Sequence, residues 1–458
     1  MSGRLADVVA LTGRRAGFVI GMLGAGMLVA YLTALSAVPR ANGRAVFGDA
    51  THHFVQLRSL VFDRDLQFQN EYTRIYDLQG GEPGTEWVYR DFTETGHVRN
   101  FMPVGPALLW APLYLLATTI QLLLAFAGLA SRPDGFELTL QLTPGVTGIA
   151  ASTAAAWISW RLAARETSQS SAAIATVAVW VGTHALYYSL VSPAYSHAAS
   201  MLTSALFFSA WLKWRADLSG VRALMLGALA GAAALMRWQD AIFILVPLIE
   251  VARSPRAWSS RAAAAASVVA SWLVVFSPQM VVWFVLYGRP FTVPQGPSFM
   301  QWTSPHPFAV LFSDSHGLFV WAPLLALSVI GLIDYTRRYP TTALPIATVV
   351  VASWYVNAAV TDWWAGEAFG ARRFLSLFPL FVLGLAVWLD RVAREPGPAL
   401  ARRLVVVSVL VGANLLLLLQ YQLALKGMET ISPYPHGPFD MWLTRFLVPF
   451  RLLEWWAS

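Results

Sequence analysis

The 458-residue chain has no cysteine, and that absence removes several chemistries at the outset. A disulfide framework, a thiolate nucleophile and a cysteine-ligated metal are all excluded. Charge is scarce as well: only 12% of residues are charged, about half the share of a soluble domain. Lysine is nearly missing, with Lys213 and Lys426 the only two, so the basic residues are almost all arginine. No internal repeat, low-complexity tract or soluble domain boundary stands out, which predicts one domain over residues 1–458. The net charge of +7 is no nucleic-acid signature, because the basic residues form short clusters between apolar runs.

Apolar length fills the space that charge leaves. Of the residues, 57% are hydrophobic, with 20 Trp and 26 Phe to serve interfacial belts and helix packing in lipid. Each bilayer crossing takes about 20 mostly apolar residues, and the chain supplies that length repeatedly. The expected fold is an all-α polytopic membrane protein of about eleven spans. They fall at roughly 17–38, 138–160, 171–190, 197–214, 222–236, 239–252, 262–287, 318–335, 341–360, 374–390 and 404–425. Segment 17–38 is too long for a signal peptide and lacks a small-residue cleavage site, so it reads as a retained signal anchor.

Basic clusters orient these spans. Arg4, Arg14 and Arg15 precede the first helix, which places the N-terminus in the cytoplasm. Further clusters recur on the same side: Arg161 and Arg165, Lys213 to Arg222, Arg253 to Arg261, Arg337 and Arg338, and Arg391 to Arg403. A single crossing by the apolar segment 103–130 would reverse every later cluster. It is therefore expected to be a re-entrant or membrane-lying hairpin broken by Pro103, Pro106 and Pro112, or two short spans of the same parity. The outer face then receives loop 40–137 with its juxtamembrane helices, a cap loop at 288–317, a short connection at 361–373 and the tail 426–458.

The residues able to do chemistry gather in those outer segments. Phe47-Gly48-Asp49-Ala50-Thr51-His52-His53 puts a carboxylate near the mouth of the bundle, where it suits a general base; a solvated loop aspartate is the plainer reading. His52 and His53 point about 100° apart on a helix and make a poor metal pair by themselves. Asn70-Glu71-Tyr72 follows in the same loop. Ser192 to His197 sits at an outer helix end and reads as pocket lining, because no nucleophile-elbow spacing supports a Ser/His catalyst. Arg237 and Asp240 interrupt an apolar hairpin, where an ionisable residue is costly and suggests function, or else a mutual pair capping the turn. Thr361-Asp362-Trp363-Trp364-Ala365-Gly366-Glu367 leads into Arg372-Arg373, an outer arginine pair against the topology bias. Bidentate phosphate contacts would account for it, with Trp363 and Trp364 stacking on a sugar or anchoring the interface.

Gly48-Asp49 after a first helix, the long outer loop with Arg58 to Leu66 and Asn70-Glu-Tyr, and four further stretches resemble the bacterial GT-C glycosyltransferase superfamily. That group includes protein O-mannosyltransferases and lipid A aminoarabinose transferases. The four stretches are Tyr195-Ser-His197, Arg237-Trp-Gln-Asp240, Leu311 to Leu318 and Trp363 to Arg372. The resemblance implies sugar transfer from a polyprenyl-phosphate donor to a glycan, lipid or protein acceptor on the outer face, usually with inversion. It implies Asp49 as catalytic base and a donor-phosphate or substrate role for Arg237, Arg372, Arg373, His53, His197, Trp363, Trp364, Glu367, Asn70, Glu71 and Tyr72. The family's common second acid in the first loop is replaced here by His52-His53, so a divalent cation is an open expectation and no other cofactor is expected. A bacterial cytoplasmic membrane is the implied location. Two other classes compete: a transporter or lipid-linked sugar flippase, which would carry midplane charges and repeats, and a scaffold without chemistry.

Overall fold

The computed structural model describes residues 15–37, 44–76, 87–366, 368–393, 398–425 and 442–457. The chain is helical throughout, with no strand among the described residues and only isolated bridges at Phe92–Val98 and Met300–Val360. Among the described residues six helices are long and apolar enough to cross a membrane, which makes this a multi-pass, all-α membrane protein.

The first long helix, α1 (Ala16–Ala37), packs antiparallel to α6 (Leu138–Glu166). Gly17 meets Trp157 and Trp160, Gly24 meets Thr153, and Tyr31 reaches Gly145. The chain between them therefore leaves and returns at one end of the bundle. That intervening stretch holds α2 (Asp49–Arg58), α3 (Gln69–Tyr76), α4 (Trp87–Arg90) and α5 (Gly105–Phe126).

The expected hairpin at 103–130 is corrected here: α5 is one continuous 22-residue helix. Pro106 falls in its first turn, where the missing N–H has no helical partner to lose, and Pro112 is accommodated inside. Gly105 lies against the backbone of Leu235 and Met236, at one end of the bundle. Near the other end of α5, Gln121 bonds Thr139 at the start of α6. Both stretches of α5 thus touch the same end of the bundle, so the helix lies across it. Its outward flank is apolar, with Leu123 and Phe126 exposed.

The remaining helices, long and short, complete the bundle. They are α7 (Gln169–Val181), α8 (Ser196–Trp214), α9 (Gly220–Met236), α10 (Leu245–Arg253), α11 (Trp258–Tyr287), the short α12 (Ala309–Phe312) and α13 (Leu318–Trp321), α14 (Leu324–Arg338), α15 (Ala343–Ala358), α16 (Phe378–Ala393) and α17 (Pro398–Leu425). A terminal helix, α18 (Val448–Ala457), follows. Small residues allow close helix contacts, as expected where lipid gives no hydrophobic incentive to pack. Gly227 and Gly231 of α9 sit on the α11 backbone at Val268 and Trp272, and Gly331 of α14 sits on the Gly384 carbonyl of α16.

The end opposite α5 gathers a set of arginines and their partners. Arg215 and Arg253 both donate to Thr341, Arg222 and Arg256 both pair with Asp217, and Arg391 pairs with Asp334. The hydrophobic interior divides correspondingly. One cluster fills the bundle around Trp180, Trp211 and Trp321, and a second ties α2, α3 and α5 to the site end through Phe54, Tyr72, Trp110 and Tyr114.

Candidate functional site

At the end crossed by α5, the turns between helices enclose a cavity of about 180 Å³. Its wall includes Asp49, Ser196, Arg237, Asp362, Arg372 and Arg373, with Pro103, Trp238, Gln295 and Phe299 closing around them. Four separate segments thus deliver their polar residues to one space.

Asp49 opens α2. Gly48 before it has φ 55°, a left-handed conformation natural to glycine. A side chain at Gly48 would also run into the Tyr195 hydroxyl. The position is thus doubly fitted to glycine, and it aims the first turn of α2 at the cavity. The Asp49 carboxylate accepts a hydrogen bond from Arg372 Nη1 at 2.7 Å. Burial would raise this carboxyl, but Arg372, with His52, His53 and Arg237 adding to it, holds it below the ordinary aspartate range.

Arg372 lies over the Tyr195 ring at 5.8 Å from its centroid. Its neighbour Arg373 points to Asp362, donating to the carboxylate and to the backbone carbonyl, each at 2.8 Å. The two adjacent arginines are thus both held by aspartates, from opposite sides of the chain.

Arg237 differs. It ends α9, is 9% exposed, and forms no ion pair among the described residues. Its Nη1 donates to His197 Nδ1 at 2.8 Å and touches Ser196 Oγ at 3.4 Å. The pairing with Asp240 weighed from the sequence does not form as a contact, because Asp240 instead accepts from Ser200 at 2.7 Å. The cavity therefore carries three guanidiniums against two carboxylates, and the buried cation without a carboxylate is the one whose partner is an imidazole. A site so charged favours an anion of the size of a phosphate.

The other candidates divide. His197 is buried beneath Arg237, its ring tilted against that of Tyr188 with centroids 4.5 Å apart. His53 lies outside the cavity wall: its Nδ1 donates to the Pro103 carbonyl at 2.8 Å and its ring meets Trp110 edge-on. His52 bonds the Tyr72 hydroxyl at 2.7 Å, so Tyr72 supports α2 from behind. Glu71 is fully buried and pairs with Arg58 at 2.9 Å, while Asn70 donates to Asp63. This Arg58–Glu71–Asp63–Asn70 network braces α2 against α3 on the side away from the cavity. Trp363 packs on His306 at 5.8 Å and Trp364, 42% exposed, looks outward; neither lines the cavity. Glu367 lies outside the described residues, as does most of the tail 426–458.

Burial depresses both loop histidines, His52 and His53, to about 4 despite the nearby Asp49, so both are neutral near pH 7. Burial pushes the Glu71 carboxyl up to about 7 against the opposing pull of Arg58.

For a cation, the residues fit poorly. Among the described residues no group of three histidines or carboxylates is placed to hold a metal ion, and both cavity carboxylates face guanidiniums.

Tyr195 and Asp362 are the positions at this site that sequence reasoning underweighted. Tyr195 lies between His197 and the Gly48–Asp49 turn, and Asp362 carries the charge complementary to the arginine pair ten residues on. Compared with known protein families, curated proteins and solved structures, the chain has no match.

Proposed function

We propose that this chain is a GT-C type glycosyltransferase that moves a sugar from a polyprenyl-phosphate donor to an acceptor on the non-cytoplasmic face, with inversion. The observation that carries the reading is Arg237, a buried guanidinium in contact with no carboxylate among the described residues, in the same cavity as Asp49, Arg372 and Arg373. A lipid phosphate supplies the missing negative charge, and Asp49 supplies the base.

In this reading the donor phosphate settles among the three arginines and competes with Asp49 for Arg372. The Asp49 carboxylate takes the proton of the acceptor hydroxyl, whose oxygen attacks the anomeric carbon from the face opposite the phosphate. The carbon–oxygen bond to phosphate breaks, and its electron pair leaves on the lipid phosphate, where the guanidiniums meet the developing charge. His197 fixes the direction of Arg237, and Tyr195 supports Arg372 from its ring face.

The same reading sets the topology. Eleven helices, α1, α6 to α11 and α14 to α17, cross the bilayer, α5 lies in the interface, and the N-terminus is cytoplasmic. The arginine-rich end then faces the cytoplasm of a bacterial inner membrane, in keeping with the positive-inside bias.

The test is release of lipid phosphate from polyprenyl-phosphate sugars by the purified protein. Asp49→Asn is expected to lower the rate by 10²-fold or more, the range of a lost general base. An unchanged rate in that variant would remove Asp49 from its role. A flippase reading draws on Asp240 and Arg237 at the break between α9 and α10. Sugar crossing vesicle membranes with the donor bond intact would favour that reading instead.

A further inference from the structure

We propose that a second cavity, on the face of α2 turned away from Asp49, binds an uncharged carbohydrate. Asp49 and Thr51 stand two positions apart on one helix, so their side chains diverge by roughly 200°. Asp49 enters the arginine cavity, while Thr51 enters a separate cavity of about 290 Å³. Arg44, Arg74, Phe136, Glu137 and Gln141 surround Thr51 there.

Two independent observations point to a ligand. First, Thr51 is 1% exposed and its hydroxyl has no hydrogen-bond partner among the described residues, although the residue lines the cavity. A buried hydroxyl without a partner is rare and costly, so a group entering the cavity has one waiting for it. Second, the walls are built rather than accidental. Gln141 accepts from the Ala45 backbone N–H at 3.1 Å and donates to the Phe136 carbonyl at 2.5 Å. The Glu137 carboxylate accepts the N–H groups of Asp134 and Gly135, and Arg74 pairs with Asp134 at 3.1 Å. Three chain segments, at Ala45, at Arg74 and over 134–141, are thereby fastened around one space.

The chemistry of the wall selects the ligand class. Two guanidiniums face two carboxylates, Asp134 and Glu137, so the cavity attracts neither an anion nor a cation on balance. This contrasts with the three arginines around Asp49. A ligand dense in hydroxyls serves such a wall best, donating to carboxylate oxygens and accepting from guanidinium N–H groups without bringing charge. Combined with the transfer reaction proposed above, on which this one step rests, the acceptor becomes a glycan. It keeps one sugar in this cavity while another meets Asp49 across the width of α2, about 10 Å.

Saturation-transfer NMR on the full chain in detergent micelles tests the site, with glucose, mannose, galactose and their disaccharides as probes and inorganic phosphate as the charged control. At least one neutral sugar is expected to bind, and Thr51→Val, which removes only the hydroxyl, should weaken it about five-fold, as losing one hydrogen bond does. Thr51→Ser should restore it. The proposal falls if no neutral sugar binds, if Thr51→Val leaves binding unchanged, or if phosphate displaces the sugar. Thr51-dependent sugar binding without release of lipid phosphate would uphold this site and sink the transfer reaction. Release without sugar binding would do the reverse.

Discussion

Acidification should strain the α2 region in two opposing directions, and removing one of them exposes the other. His52 and His53 titrate near 6.5 when unfolded and at about 4 when folded. Their contribution is complete above pH 6.5 and is lost as pH falls toward 4. At pH 5 the unfolded imidazoles are nearly all protonated while the folded ones are mostly neutral, which costs about 2 kcal/mol each. Glu71 has the opposite sign. Its folded carboxyl titrates at about 7 against 4.5 unfolded, so its contribution is complete below pH 4.5 and lost as pH rises through 7. Between pH 8 and pH 5 it returns about 2–3 kcal/mol, leaving a net loss from the three groups of about 1–2 kcal/mol. Glu71→Gln deletes the return, and the acid-induced loss grows to about 4 kcal/mol. Tryptophan-fluorescence melting in detergent at pH 8, 6.5 and 5 compares the two proteins, and their difference isolates Glu71 from every other titrating group. His53→Phe should flatten the same curve by about 2 kcal/mol. A Glu71→Gln protein no more acid-labile than the parent would refute the assignment of opposing burials.

Two backbone positions give further tests. Gly48→Ala meets both a left-handed backbone and the Tyr195 hydroxyl, so it should lower stability by more than about 1 kcal/mol and reduce transfer activity, measured by melting and lipid-phosphate release. Gly331→Val would drive a branched side chain into the Gly384 carbonyl, forcing α14 from α16, and should cost about 1–3 kcal/mol in a thermal melt while leaving the distant cavity chemistry intact if folded protein is recovered.

Much of the bundle was legible because its signal is local. Apolar length marks a helix for lipid, and the arginine clusters mark a shared end without any knowledge of packing. Segment 103–130 shows where that reading stopped. Three prolines suggested a break, yet Pro106 occupies a first turn that has no N–H bond to lose, and the rest of the helix absorbs Pro112. The site was legible only as an inventory. Sequence indicated that Asp49, Arg237, Arg372 and Arg373 share a side, but the direction of each side chain depends on partners far along the chain. Arg372 turns to Asp49 and Arg373 to Asp362, although nothing local distinguishes two adjacent arginines. His53 was drawn away by the Pro103 carbonyl, and Trp363 by His306, contacts that hydropathy and motif spacing do not encode.

The bond between Arg372 and Asp49 joins residues 323 positions apart. On a ribosome adding roughly 5–20 residues per second, Asp49 emerges some 15 to 65 seconds before the arginine that holds it. Throughout that interval the nascent chain carries α2, joined only part-way through by Arg237, without the segment that closes the cavity. Site assembly is therefore a late event in biogenesis, and a chain arrested before Arg372 is left with Asp49 lacking that guanidinium and the cavity wall incomplete.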